Sequence, residues 1–172
     1  MVEQIPWIER KFNFNDLHEG LFPDIVERLR GTPARLEESL KGLSEERLSA
    51  KPGSKWSIKE EAGHLYDLED LWSVRLKGLL SDKPEIVPAD MTNKKTHEAD
   101  HNSRSIDELL VQFRTARQEL VDNLDKLTED EVLAFAIHPR LNTKMRVIDL
   151  AFFVAEHDDH HLAHITKTKS TL

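Results

Sequence analysis

The sequence predicts an all-α fold, a four-helix bundle formed by one domain over residues 1–172. Three observations predict it. Two long segments open with the capping signature Ser-x-x-Glu, at Ser57–Glu60 and Ser105–Glu108. Four stretches place apolar residues at steps of three and four, the spacing of an amphipathic helix with one buried stripe. No segment requires a strand.

The first helix is expected over residues 22–43, interrupted at Gly31-Thr32-Pro33. Thr32 can cap and Pro33 can start a new helix at its first position, or the segment is one kinked helix. The second, over 57–80, carries Ile58, Ala62, Leu65, Leu68, Trp72, Leu76 and Leu79 on one side. Residues 81–88, with two prolines, form a linker. The third, over 105–127, carries Leu109, Phe113, Ala116, Leu120 and Leu124. The fourth is expected over 144–167, capped by Asn142 or Thr143. Short capped turns at Ser44 and Thr128 follow the first and third helices, so two similar helix pairs pack as a bundle.

Composition narrows the function classes. The chain lacks cysteine, which excludes disulfides, thiolate metal sites and a cysteine nucleophile. A net charge of −8 with scattered basic residues argues against nucleic acid as a partner. No stretch approaches the roughly 20 apolar residues that cross a bilayer. The first residues, Met1-Val2-Glu3-Gln4, do not read as a secretory signal, and a cytoplasmic location is expected.

Nine histidines are present, four of them between residues 156 and 164. The stripe Val147, Leu150, Val154 continues through His157, His161 and His164, so imidazoles stand where aliphatic residues are expected. Burying them is costly unless the ring nitrogens find partners. His157 and His161, about 6 Å apart along one helix face, suit joint coordination of one ion. The absence of a glutamate after His157 excludes the H-E-x-x-H protease pattern. His64, beside Gly63 on the second helix, is the expected third ligand, the glycine allowing close helix approach. His164 lies near the helix end and there offsets the helix dipole. His97 and His101 read as solvated or lining a cavity mouth; His18 and His138 carry no assigned role.

The segments Lys55–Leu65 and Phe152–Ile165, with Leu29–Leu36, resemble the signature segments of the DinB/YfiT-like superfamily. The resemblance runs from about residue 12 onward and implies a bundle with a three-histidine site at His64, His157 and His161. It further implies a metal-dependent hydrolase, or a transferase using a low-molecular-weight thiol, with nickel or zinc as the divalent ion. A small-molecule substrate and a homodimer are implied as well. Around such a site, Glu61 or Asp67 would accept a histidine N–H, and Arg140 or Arg146 would anchor an anionic substrate. Two alternatives compete. One is a ferritin-like di-metal protein using Glu61-x-x-His64 and Asp158-x-x-His161 with Glu37 and Glu119. The other is a non-catalytic module whose metal gains a fourth ligand from His164 or Asp158.

Overall fold

The computed structural model describes residues 2–171. Its long helices are α1 (Phe22–Leu40), α3 (Ile58–Asp67) running on into α4 (Glu69–Leu79), α6 (Ile106–Leu124) and α8 (Val147–Thr171). Short helices α2 (Glu45–Ser49), α5 (Lys94–Glu98) and α7 (Glu129–Leu133) fill the connections. Both α1 and the α3–α4 unit pack against α6 and α8. They therefore stand across the bundle from one another, although they follow one another in the chain. The result is a four-helix bundle.

Pro33 lies inside one continuous α1, so neither a second helix start nor a cap at Thr32 is needed. Proline has no N–H for the Leu29 carbonyl four residues back. Nη1 of Arg117 donates to that carbonyl instead, at 3.4 Å, and the Thr32 hydroxyl turns to Asp158 at 2.8 Å. At Leu68 the second helix tightens between α3 and α4. Its ladder holds there, with the Leu68 N–H bonded to the His64 carbonyl and the Trp72 N–H to the Leu68 carbonyl.

Ser57 and Glu60 form the full reciprocal capping box; Ser105 supplies only its own half, accepting from the Glu108 N–H. The capped turns at Ser44 and Thr128 become α2 and α7.

The largest departure from expectation precedes α8. Residues 135–146 form an antiparallel hairpin, β1 (Phe135–His138) with β2 (Thr143–Arg146), and Asn142 takes a left-handed conformation in its turn (φ 49°). Neither Asn142 nor Thr143 caps α8. The helix begins at Val147, where Asp149 accepts the Arg146 backbone N–H at 2.8 Å. It runs on to Thr171, so its end lies beyond the predicted 167.

Two apolar clusters fill the bundle. One joins Leu29, Trp72, Leu76, Leu120 and Val154; the other joins Leu36, Leu65, Phe113 and Ile165. Between them Arg117 is enclosed, 1% exposed. It donates to Glu69 on α4, Asp158 on α8 and the Leu29 carbonyl on α1, so one side chain from α6 touches every other long helix. Among the described residues no helix is long and apolar enough to cross a membrane.

Candidate metal centre

His64, His157 and His161 are all buried, and one ring nitrogen from each falls within 4.8 Å of the others. The i, i+4 pair on α8 sets two rings one turn apart, with centroids 4.4 Å from each other; α3 brings His64 to 4.7 Å from His161.

Neighbouring groups decide which nitrogens carry protons. Glu61 Oε2 lies 2.5 Å from His161 Nδ1. Burial opposes the Glu61 charge, but hydrogen bonds and charge from His161 and His164 hold its carboxyl down to about 2, so it accepts. His161 Nδ1 therefore donates, which in the neutral tautomer leaves the lone pair on Nε2. On the α3 side, the Thr96 hydroxyl donates to Asp67 Oδ2 at 2.9 Å. Its oxygen is left to accept from His64 Nδ1, also at 2.9 Å, which again leaves Nε2 as the lone-pair nitrogen. His157 Nε2 lies 3.1 Å from His161 Nε2. Burial, with the charge of His161 second, lowers His64 to about 3, and burial likewise drives His157 well below the usual imidazole range. Three imidazoles converging on one point suit a cation, and the hydrogen bonds at Nδ1 of His64 and His161 are the usual support for metal-binding histidines; His157 Nδ1 has no partner among the described residues. The donor set fits a divalent ion.

Glu61 thus contacts a ring directly, whereas Asp67 acts through Thr96. Asp67 also accepts from His101 Nε2 at 2.8 Å. His101 is buried, not solvated as its polar surroundings suggested, because its ring fills the space beside Gly63. A Cβ on Gly63 would fall 2.3 Å from His101 Cγ. The glycine admits this ring and not a neighbouring helix. Gly63→Ala is expected to cost about 1–3 kcal/mol, as overpacking does, read from the urea midpoint. An unchanged midpoint would show that the ring moves aside freely.

His164 is not at the helix end; its Nδ1 sits 3.3 Å from Glu61 Oε1, half-exposed. His97 is exposed, as expected. His160 is buried and bonded to Gln4. Arg146 is committed to Asp149 and to the Phe14 and Leu17 carbonyls, which removes it as a substrate anchor. The di-metal arrangement has no support: Asp158 is taken by Arg117 and Thr32, Glu37 pairs with Arg114, and Glu119 is exposed. The same contacts remove Asp158 as a fourth ligand.

The three histidines border a cavity of about 390 Å³. Trp7, Trp56, Trp72 and Phe153 form its walls, and Arg75, His138 and Arg140 line it as well. The position of His138 here is a finding that its solitary place in the sequence did not signal.

Fold and site together define a helical bundle with a buried histidine cluster opening on an apolar cavity. The sequence profile of the DinB superfamily matches residues 28–165, and the chain belongs to that superfamily. It is 28% identical over 160 residues to a protein of Oceanobacillus iheyensis named "Putative metal-dependent hydrolase OB0413", covering 92% of this chain and 88% of that one. It is 29% identical over 154 residues to YuaE of Bacillus subtilis, covering 81% of this chain and 94% of YuaE. The solved structure of Bacillus subtilis YfiT, described as a probable metal-dependent hydrolase with an unusual four-helix bundle topology, superposes with a TM-score of 0.80. The identity there is 21%, over 94% of this chain and 93% of that one.

Proposed function

We propose that this chain is a metal-dependent hydrolase acting on a small molecule, with His64, His157 and His161 holding one zinc or nickel ion. The observation that carries this reading is the convergence of three buried histidines at the edge of a cavity: neighbouring groups engage Nδ1 of His64 and of His161, and His161 Nε2 lies 3.1 Å from His157 Nε2. Imidazole donors suit either metal. A divalent ion held by three protein ligands supplies Lewis acidity, polarising a substrate oxygen or acidifying a water or thiol.

The protein's own groups supply the rest. Glu61 keeps the proton on His161 Nδ1, and Thr96 with Asp67 orients His64. Glu61 is thereby occupied and is not a free general base. The tryptophan walls give the site an apolar lining, beside which charges at the reacting atoms interact more strongly than in water. The names of OB0413 and YfiT support hydrolysis. The thiol-transferase alternative needs a thiol from outside, since the chain has no cysteine. A cytoplasmic setting, where thiols stay reduced, belongs with it.

The test is metal quantification on the full-length protein, followed by assays with aryl esters, aryl amides and an electrophile plus small thiols. One ion per chain and hydrolysis that disappears with a chelator and returns with zinc or nickel are expected. Two ions per chain, or turnover indifferent to chelation, would overturn the reading; activity only with an added thiol would select the transferase.

A further inference from the structure

Arg75 is 2% exposed and has no carboxylate within ion-pairing distance among the described residues. Its Nε donates to the Val87 carbonyl at 2.9 Å, and its guanidinium carbon lies 5.5 Å from the Trp72 ring centre. Among the described residues no protein acceptor bonds either terminal nitrogen, and the residue lines the cavity. Burial, with the charge of Arg140 second, pulls its pKa down to about 10, so it remains a cation at neutral pH. A buried charge without a counter-charge is expensive. Arg117, equally buried, shows how this fold treats a structural arginine: two carboxylates meet it.

His138 adds a second unmet donor. Its Nδ1 accepts from the backbone N–H groups of Arg140 and Leu141, each at 3.2 Å. Burial, then the charges of Arg75 and Arg140, lowers its pKa to about 4, so the ring is neutral. With Nδ1 accepting, Nε2 must carry the proton. That buried N–H has no partner among the described residues, and the residue, 2% exposed, lines the same cavity.

We propose that Arg75 and His138 form an anion subsite in this cavity, and that the substrate carries a carboxylate attached to an apolar, ring-sized body. One buried cation balances one monoanion. The guanidinium and a neutral N–H donor line the same cavity, a donor set that suits a carboxylate, and Trp7, Trp72 and Phe153 suit an apolar body. Arg140, exposed near the cavity, adds a favourable field for entry. Asp90, exposed and also lining the cavity, is occupied by Thr92 and Lys94. The inference rests on the proposed function for the reacting end of the substrate and stands apart from it for the anchoring end.

All three tryptophans of the chain line the cavity, so intrinsic fluorescence reports occupancy. The full-length protein is titrated with phenylacetate, with neutral phenylacetamide and with phenyl phosphate. Phenylacetate is expected to bind on the order of 10- to 100-fold more tightly than the amide, the range of a charge-assisted pair. Arg75→Met should erase that preference while leaving amide binding unchanged, which also shows that the pocket is intact. Should Arg75→Met fail to fold, the wild-type comparison still decides, because equal binding of acid and amide overturns the subsite. Tighter binding of phenyl phosphate than of phenylacetate overturns the carboxylate assignment. His64→Ala should retain the acid preference. If His64→Ala loses it and Arg75→Met keeps it, the carboxylate sits on the metal, and this inference fails while the proposed function stands.

Discussion

Replacing His157 by alanine is expected to weaken binding of zinc or nickel by more than about 100-fold, beyond the roughly 10- to 100-fold typical of losing a supporting hydrogen bond. His64→Ala and His161→Ala should match it, because each removes one of three converging nitrogens. Glu61→Gln should fall in the smaller range, since it weakens only the group that orients His161. Metal bound at about 1,000 times its dissociation constant adds about 4 kcal/mol of stability. For a chain of this size that raises the melting temperature by about 8–16 °C, a gain the three alanine variants should forfeit. His97→Ala and His164→Ala are the controls, one exposed and the other half-exposed against Glu61 and the His160 ring. Calorimetric titration with zinc, alongside melting curves, reads both quantities. Were His164→Ala to empty the site while His64→Ala left it filled, the ion would belong to α8 and Glu61, and the three-histidine assignment would be wrong.

The second large effect belongs to the brace at the centre of the bundle. Arg117→Met should destabilise the protein by about 3–5 kcal/mol, the cost of leaving buried charges without their partner. It strands Glu69 and Asp158, both buried, and releases the Leu29 carbonyl that Pro33 cannot serve. Asp158→Asn should cost less, because Glu69 still faces the guanidinium. Equilibrium denaturation in urea measures both. A loss below about 1 kcal/mol for Arg117→Met would mean that water enters and solvates the stranded carboxylates.

The histidine cluster was legible in the sequence because α8 announces its buried face through Val147, Leu150 and Val154. The imidazoles at the next two steps, His157 and His161, are inside, while His164 beyond them is half-exposed. The same signal was available for both buried arginines. Arg117 stands four residues after Phe113 and three before Leu120, and Arg75 stands three after Trp72 and four before Leu79. A cation on an apolar stripe is as informative as a histidine there. His101 gave no such signal, since its burial depends on Gly63, a residue on another helix, lacking a side chain. The hairpin escaped because four-residue strands hold too few alternations to separate from helix or loop, and β2 passes into α8 without a break. Pro33 misled in the opposite direction: the carbonyl it leaves unbonded is satisfied by a side chain 88 residues away.

Glu61 and His161, 100 residues apart in the chain, meet at the site, and His64 joins α3 to the same turn of α8. An ion held there ties the ends of a loop of roughly 100 residues, a constraint that as a covalent bridge would remove about 4.7 kcal/mol of unfolded-state entropy. A protein without cysteine would thereby gain the topology of a disulfide in a form that needs no oxidant and that a chelator can undo. Metal availability would then govern how long the folded chain survives proteolysis. Removing the ion should shorten its lifetime even where no substrate is present.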